Sequence, residues 1–97
     1  MKQVTRNSVD CLLSGGNKQF SNTLVQTIGN ISKMYLFGNL IAIFDHSNSK
    51  LEIRNAGWPS NTTKERLNGL PNVRIHQHKW EWYLNGNLWD GCLIEVK

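Results

Sequence analysis

The chain has 97 residues, of which 39% are hydrophobic and 19% are charged, and such values are typical of a globular protein. This length predicts a single domain over residues 1–97 with one hydrophobic core. The formal net charge of +4 would favour an anionic partner, but it is not the dense basic footprint of a dedicated nucleic-acid-binding protein. Because the chain has no run of about 18 apolar residues and no secretory signal, we expect a cytosolic protein without a membrane partner.

The first helix is predicted over residues 5–14, where apolar side chains recur at the spacing of one helical face. Thr5 is suited to the N-cap, and Gly15-Gly16 is suited to the stop. Residues 15–22 carry turn formers and polar groups, which predict a loop.

A β-hairpin follows. Two apolar runs, residues 33–37 and 40–44, flank Gly38-Asn39, and this spacing predicts a two-residue primed turn. Both runs are apolar at nearly every position, which predicts burial on both faces or an edge covered by a helix. Further strands are predicted over residues 22–29 and 50–57.

The segment GWPSNTTKERLNGLP predicts a short second helix. Thr62 followed by Glu65 has the spacing of a capping box, and Gly69 is suited to a left-handed C-terminal position. Lys64 and Arg66 are expected to project from this helix into solvent.

The C-terminal third predicts short strands. Residues 72–77 alternate in polarity, and the apolar parity then shifts across His78-Lys79, which indicates a turn or a bulge. Asn85-Gly86 predicts a type I′ turn. A second turn is predicted at Asp90-Gly91 and a last strand over residues 92–96. The predicted fold is therefore an α+β domain with an antiparallel sheet and two short helices.

Catalytic and metal-binding motifs are not evident. His76 and His78 lie two residues apart and could face one metal ion, but no third or fourth ligand lies near them in sequence. Cys11 and Cys92 do not form a CxxC pair, and phosphate-binding loops and nucleophile elbows do not occur. We therefore expect neither an enzyme nor a metal or other cofactor.

Four tryptophans concentrate in the second half of the chain and alternate with cations. Aromatic rings beside Lys and Arg suit base stacking with phosphate contacts, and they equally suit a protein-binding hot spot. Trp80 and Trp82 could instead be core residues of a small domain. The tryptophans are Trp58, Trp80, Trp82 and Trp89, and the cations are Lys64, Arg66, Arg74 and Lys79.

Several motifs in this order resemble a group of small proteins encoded by tailed bacteriophages and prophages. The most specific are TTKERLNGLP and WYLNGxxWDG. The matching segments are Thr5–Val9, Ser21–Thr23, Gly38–Ala42, Asn55–Pro71 and Trp82–Gly91. The resemblance implies a host-takeover or counter-defence factor that works by stoichiometric binding, and anti-CRISPR proteins of the type I-F class are similar in size.

Three functional hypotheses follow. The first is an inhibitor, expected to be a monomer, that binds a type I Cas surveillance complex in the bacterial host and blocks target DNA binding. One version is DNA mimicry, with carboxylates on one face in place of phosphates. Those carboxylates would be Asp45, Glu52, Glu65, Glu81 and Asp90. The second is a nucleic-acid-binding protein that uses Trp58, Lys64, Arg66, Arg74, Lys79 and Trp80. The third is a structural phage component.

Overall fold

The computed structural model describes residues 2–57 and 59–97, and in these residues the chain forms two helices and nine strands. The helices are α1 (Gln3–Ser14) and α2 (Asn61–Leu67). The strands are β1 (Lys18–Phe20), β2 (Thr23–Ile28), β3 (Ile31–Leu36), β4 (Asn39–Asp45), β5 (Lys50–Ile53), β6 (Ile75–His78), β7 (Glu81–Leu84), β8 (Asn87–Trp89) and β9 (Ile94–Val96). The predicted α+β class with antiparallel strands is confirmed. No helix within the described ranges is long and apolar enough to cross a membrane.

The strands form two antiparallel sheets. The large sheet has the order β1-β2-β3-β4-β5-β9, so consecutive strands are neighbours until β9 returns to pair with β5. The small sheet is the meander β6-β7-β8. Its second turn is Asn85-Gly86, with φ values of 51° and 89°, as the type I′ prediction requires.

One cluster of buried side chains joins these elements. Leu12 of α1 lies against the large sheet, where Val25 and Met34 are fully buried. Leu67 of α2 and Trp82 of the small sheet belong to the same cluster. Burying each of these side chains contributes about 1.5–3 kcal/mol, so packing rather than helix propensity holds the seven-residue α2 in place.

The N-terminal predictions need two corrections. Helix α1 begins at Gln3, and Thr5 is a fully buried residue inside the helix rather than its N-cap. The hydroxyl of Thr5 bonds to side chains of α2, so tertiary contacts extend the helix beyond the predicted start. The predicted stop is correct, because Gly15 has a left-handed φ of 79°. Strand β1 lies inside the predicted loop, where pairing with β2 orders it.

The first hairpin is present, but its turn is shifted by one residue. Leu36 pairs with Asn39, so the turn residues are Phe37 and Gly38, with φ values of 50° and 81°. A β-bulge between Met34 and Tyr35 adjusts the register. Strand β3 has no fully exposed position, but its two faces differ, because buried residues alternate with half-buried ones.

The caps of α2 differ from the predicted ones. Ser60, not Thr62, is the N-cap, and its Oγ accepts a hydrogen bond from the Thr63 amide at 3.1 Å. The carboxylate of Glu65 faces α1 instead of completing a capping box. Gly69 does not adopt a positive φ.

Gly69 is instead required for close packing of the two helices. A Cβ atom at this position would lie 2.4 Å from Cγ2 of Thr5 and 3.2 Å from Cγ2 of Val9. We expect Gly69→Ala to lower the free energy of unfolding by about 1–3 kcal/mol, as overpacked cores do. Urea denaturation measures this loss. Adding Thr5→Ser removes the clashing methyl group but keeps the hydroxyl, and it should restore part of the stability. An unchanged midpoint in Gly69→Ala would contradict this account.

Candidate partner-binding surface

The small sheet has one face in the core and one face in solvent. On the core face, Trp82 pairs with Trp89, and both are buried. On the solvent face, Tyr83 lies between His76 and Leu88 in one cross-strand row. The rings of His76 and Tyr83 stack with centroids 5.2 Å apart and an interplanar angle of 10°. Leu88, the next residue in this row, is 64% exposed.

The β6–β7 turn places a tryptophan at the edge of this face. Lys79 and Trp80 form the turn with φ values of 50° and 71°, and the Trp80 side chain is 91% exposed. Two-residue turns of this kind favour Asn-Gly, and a bulky residue with positive φ is strained. The core interpretation that was open for both tryptophans therefore holds for Trp82, which is buried, and not for Trp80. We call His76, His78, Lys79, Trp80, Tyr83 and Leu88 the Trp80 surface.

A cleft of about 350 Å³ lies beside the Trp80 surface. Its walls are largely apolar, and the rings of Trp82 and Trp89 lie 6.2 Å apart at 42° to each other. The indole N–H of Trp89 donates to the carbonyl of Cys92 at 2.9 Å, which fixes the ring. The lining residues are Asn55, Pro59, Trp80, Glu81, Trp82, Leu88, Trp89 and Asp90.

Two carboxylates line this cleft. Glu81 begins β7 directly after Trp80, and Asp90 follows β8. Hydrogen bonds from the side chain and the backbone of Cys92 lower the pKa of Asp90, so this carboxylate stays charged near neutral pH. The cleft thus combines aromatic walls with two acidic lining residues.

The five predicted carboxylates do not share one face, so that expectation is wrong. Asp45 and Glu52 belong to the large sheet, where they pair with Lys50 and Ile43. Glu65 lies between the two helices, 27% exposed. Only Glu81 and Asp90 line a common cleft with Trp80.

The predicted basic set is also divided. Lys64 donates to Gln77 at 3.2 Å, and Lys79 lies in the turn beside Trp80. Arg74 is exposed at the opposite end of β6, so it is not part of the same patch. Trp58 lies outside the described residues.

Arg66 does not project into solvent and is 4% exposed, which corrects the prediction. Its guanidinium donates to Thr23 Oγ1 at 3.0 Å and to Thr5 Oγ1 at 2.8 Å. It also donates to Asn22 Oδ1 at 3.1 Å and forms an ion pair with Glu65 at 2.6 Å. Glu65 in turn accepts a hydrogen bond from the Thr5 hydroxyl. This buried network connects α1, α2 and the start of β2. It engages the guanidinium N–H groups of Arg66, which a phosphate contact would need.

In the part of the chain that the structure describes, neither a metal-ligand cluster nor a thiol with a lowered pKa is found. Residues 2–57 and 59–97 contain no group of three or more His, Cys, Asp or Glu side chains that could hold a metal ion. Burial raises the pKa of the Cys11 thiol, and the hydrogen bond with Asp90 raises that of Cys92. Raised thiol pKa values disfavour the reactive thiolate.

Sequence reasoning missed Tyr83 and Leu88 as surface residues. Their pairing was predictable, because a type I′ turn at Asn85-Gly86 fixes the register of β7 against β8. Pro59 was not predictable, since it reaches the cleft from the segment before α2.

These features define a small α+β protein with an exposed aromatic surface beside a largely apolar cleft that is lined by two carboxylates. A family model described as Kyanoviridae Gp96 protein matches residues 1–93, and the chain therefore belongs to this phage family. A search of curated proteins found no match, and a search of solved structures found none.

Proposed function

We propose that this phage protein acts by stoichiometric binding of a host defence protein through the Trp80 surface. The observation that carries the proposal is Trp80 itself, 91% exposed and in a left-handed turn position. A large ring in this conformation costs stability and exposes apolar area, and such strain is typical of functional sites. Tryptophan is also among the residues most enriched in binding hot spots.

The chemistry of the cleft favours a basic side chain of the partner. A Lys or Arg stem can pack on the indole rings while its charge approaches Glu81 and Asp90. The paired charges would lie partly out of water, where hydrogen-bonded ion pairs are stronger than at an open surface. The proposed partner surface is therefore basic, as the surfaces of nucleic-acid-binding proteins are.

The most concrete host target is a type I CRISPR surveillance complex, whose DNA-binding surface needs Lys and Arg residues to hold phosphates. In this proposal the protein occupies one such basic site and blocks target DNA. The proposal does not need a broad acidic face that mimics DNA. Two of the five predicted carboxylates line the cleft, and these two would bind a single basic side chain of the partner. The same proposal holds that the protein binds its target and does not catalyse a reaction. The raised pKa values of the Cys11 and Cys92 thiols support it, because they disfavour a nucleophilic thiolate.

The test titrates a purified type I surveillance complex with the protein and measures binding of its target DNA. We expect inhibition to saturate at a fixed ratio of protein to complex. Glu81→Gln combined with Asp90→Asn should weaken inhibition by at least about tenfold, since close opposite charges at an interface are lost. Glu52→Gln is the matched control and should inhibit like the unmodified protein, because Glu52 lies on the other sheet. Equal inhibition by all three proteins would overturn the role of the cleft, and no inhibition by any would overturn this target.

The nucleic-acid alternative has one specific observation in its favour. Lys79 adjoins the exposed ring of Trp80, and Lys64 is held against the same sheet by Gln77. A ring and two cations suit the stacking and phosphate contacts of single-stranded nucleic acid. This alternative predicts binding that weakens with salt and falls further in Lys79→Ala. A pull-down from host lysate with nuclease treatment separates the two, because a protein partner survives digestion.

A further inference from the structure

A groove of about 230 Å³ lies between β8 and β9, the strands at which the small and the large sheet end. All three residues of each strand line it. A groove on a sheet face is lined by alternate residues, because neighbouring side chains face opposite ways, whereas consecutive residues line a groove along strand edges. Since β8 pairs with β7 and β9 with β5, these are the unpaired edges of both strands in the described chain. We call this groove the edge groove.

The backbone on both sides of the edge groove carries hydrogen-bonding groups without a partner strand. Leu84 and Asn87 flank the two-residue turn Asn85-Gly86, so this pair exchanges both hydrogen bonds between β7 and β8. Bonded pairs alternate along an antiparallel ladder, so Leu88 directs its N–H and C=O away from β7 and into the edge groove. By the same alternation, at least one residue of β9 directs these groups away from β5.

The side chains beside the edge groove differ between its two sides. Ile94 and Val96 pair with buried residues of β5 and therefore face the core, as the buried Trp89 of β8 does. Leu88 and Glu95 face the opposite way, because they alternate with these residues. Ile94 is 38% exposed although it faces the core, so the core is incompletely covered between the two strands.

The connection between β8 and β9 keeps the two strands unpaired. Strands pair about 4.8 Å apart, so a strand bound to both edges needs a gap of about 9.6 Å. Residues 90–93 join β8 to β9, and four residues can span up to about 13 Å. The indole of Trp89 donates to the Cys92 carbonyl at 2.9 Å, and the Asn55 amide donates to the Gly91 carbonyl at 3.0 Å. These bonds fix the connection in its present form.

The charges beside the edge groove favour a basic residue next to β9. Glu95 lies directly opposite Glu52, and like charges in this position are destabilising. The cations Lys50 and Arg54 lie only diagonally from Glu95 across the strands, and Lys97 lies two residues further along β9. A Lys or Arg on an added strand could lie directly opposite Glu95 on its unpaired side.

We infer that the edge groove binds an extended segment of a partner protein, which adds a strand between β8 and β9 and joins the two sheets. The segment alternates apolar residues, which face Trp89 and Ile94, with polar ones, of which a Lys or Arg faces Glu95. Its backbone gains affinity by bonding to both edges. An edge strand of a second copy could not do so, because one of its own edges is already paired. The site differs from the Trp80 surface, which uses the Leu88 side chain, whereas the edge groove uses the Leu88 backbone.

Titration of the full chain with a synthetic peptide tests the inference. The probe is a capped seven-residue peptide in which three valines alternate with three threonines and one lysine. We expect saturable binding, and the Leu88 amide should exchange with deuterium at least about tenfold more slowly in the complex, because its N–H gains a partner. The matched control is the same peptide with N-methyl groups on alternate backbone amides. It should bind at least about tenfold more weakly, since it keeps its side chains but loses two or more hydrogen bonds.

Two further comparisons test the backbone and the charge separately. Leu88→Pro removes the N–H that faces the edge groove but no bond to β7, so it should weaken peptide binding at least about fivefold. Leu88→Val keeps this N–H and should bind within about twofold of the unmodified protein. A peptide with glutamate in place of lysine should bind at least about fivefold more weakly, because it places a like charge beside Glu95.

An absence of binding at millimolar peptide would overturn the inference. So would equal binding of the N-methylated peptide or the glutamate peptide, or equal binding by Leu88→Pro. If circular dichroism shows that Leu88→Pro is unfolded, the two control peptides decide. Protection of the Leu88 amide that rises with protein concentration in the absence of peptide would overturn the inference in favour of a second copy. These measurements use the protein without a host complex, so they succeed or fail independently of the inhibition titration.

Discussion

Arg66→Ala should lower the free energy of unfolding by about 3–5 kcal/mol, because it breaks an ion pair whose cation is buried and removes the hydrogen bonds that this guanidinium donates. The substitution leaves Glu65 charged between the helices and removes the hydrogen bonds donated to Asn22, Thr5 and Thr23. Small domains are stable by about 5–15 kcal/mol in total, so a large share of the stability would be lost.

Urea denaturation followed by circular dichroism measures the effect. The matched control is Lys64→Ala in the same helix, because Lys64 contacts Gln77 at the surface and should change stability by at most about 0.5 kcal/mol. Similar midpoints for the two variants would show that the Arg66 network is not structural.

The same network predicts how stability depends on pH. Burial opposes ionisation of Glu65, but hydrogen bonds from Thr5 and the Lys2 backbone, with the charge of Arg66, lower its pKa below the ordinary 4.5. A lowered pKa in the folded state contributes stability that is fully present above pH 4.5. That contribution is lost as the pH falls through the lower folded-state pKa. Glu65→Gln should therefore flatten the acid limb of the stability curve, and an unchanged acid limb would contradict this assignment.

Replacing the β6–β7 turn by Asn-Gly should stabilise the fold and weaken partner binding. Lys79→Asn with Trp80→Gly supplies the residues that the left-handed positions favour, as Asn85-Gly86 does in the next turn. We expect a gain of about 1–2 kcal/mol, because positive φ costs about that much for most residues. Loss of the Trp80 ring should weaken binding of the host partner by at least about 30-fold, as loss of a hot-spot residue does.

Thermal unfolding and the inhibition titration measure the two effects on the same preparations. Phe37→Asn is the matched control, because Phe37 occupies the first position of another two-residue turn with positive φ values and is 64% exposed. It should raise stability without changing inhibition. A turn variant that keeps full inhibition would show that the strained tryptophan serves no partner.

Local sequence patterns determined much of this fold. The turn at Asn85-Gly86 and the end of α1 at Gly15 were predictable, because glycine and asparagine are favoured where φ is left-handed. Such positions can be recognised from a few neighbouring residues. The alternation in β5 was predictable because neighbouring side chains of a strand face opposite ways. These rules need no knowledge of distant parts of the chain, and they sufficed for the α+β class.

The tertiary structure alone decided which polar and aromatic residues are accessible. Arg66 has the local pattern of a solvent-facing cation, but its partners Thr5 and Thr23 lie 61 and 43 positions away. Trp80 and Trp82 are nearly adjacent, and only the turn at Lys79-Trp80 separates an exposed ring from a buried one. Glu81 and Asp90 reach one cleft because β7 and β8 pair across Asn85-Gly86. Burial and the convergence of side chains depend on contacts between remote segments, and composition and periodicity do not encode these contacts.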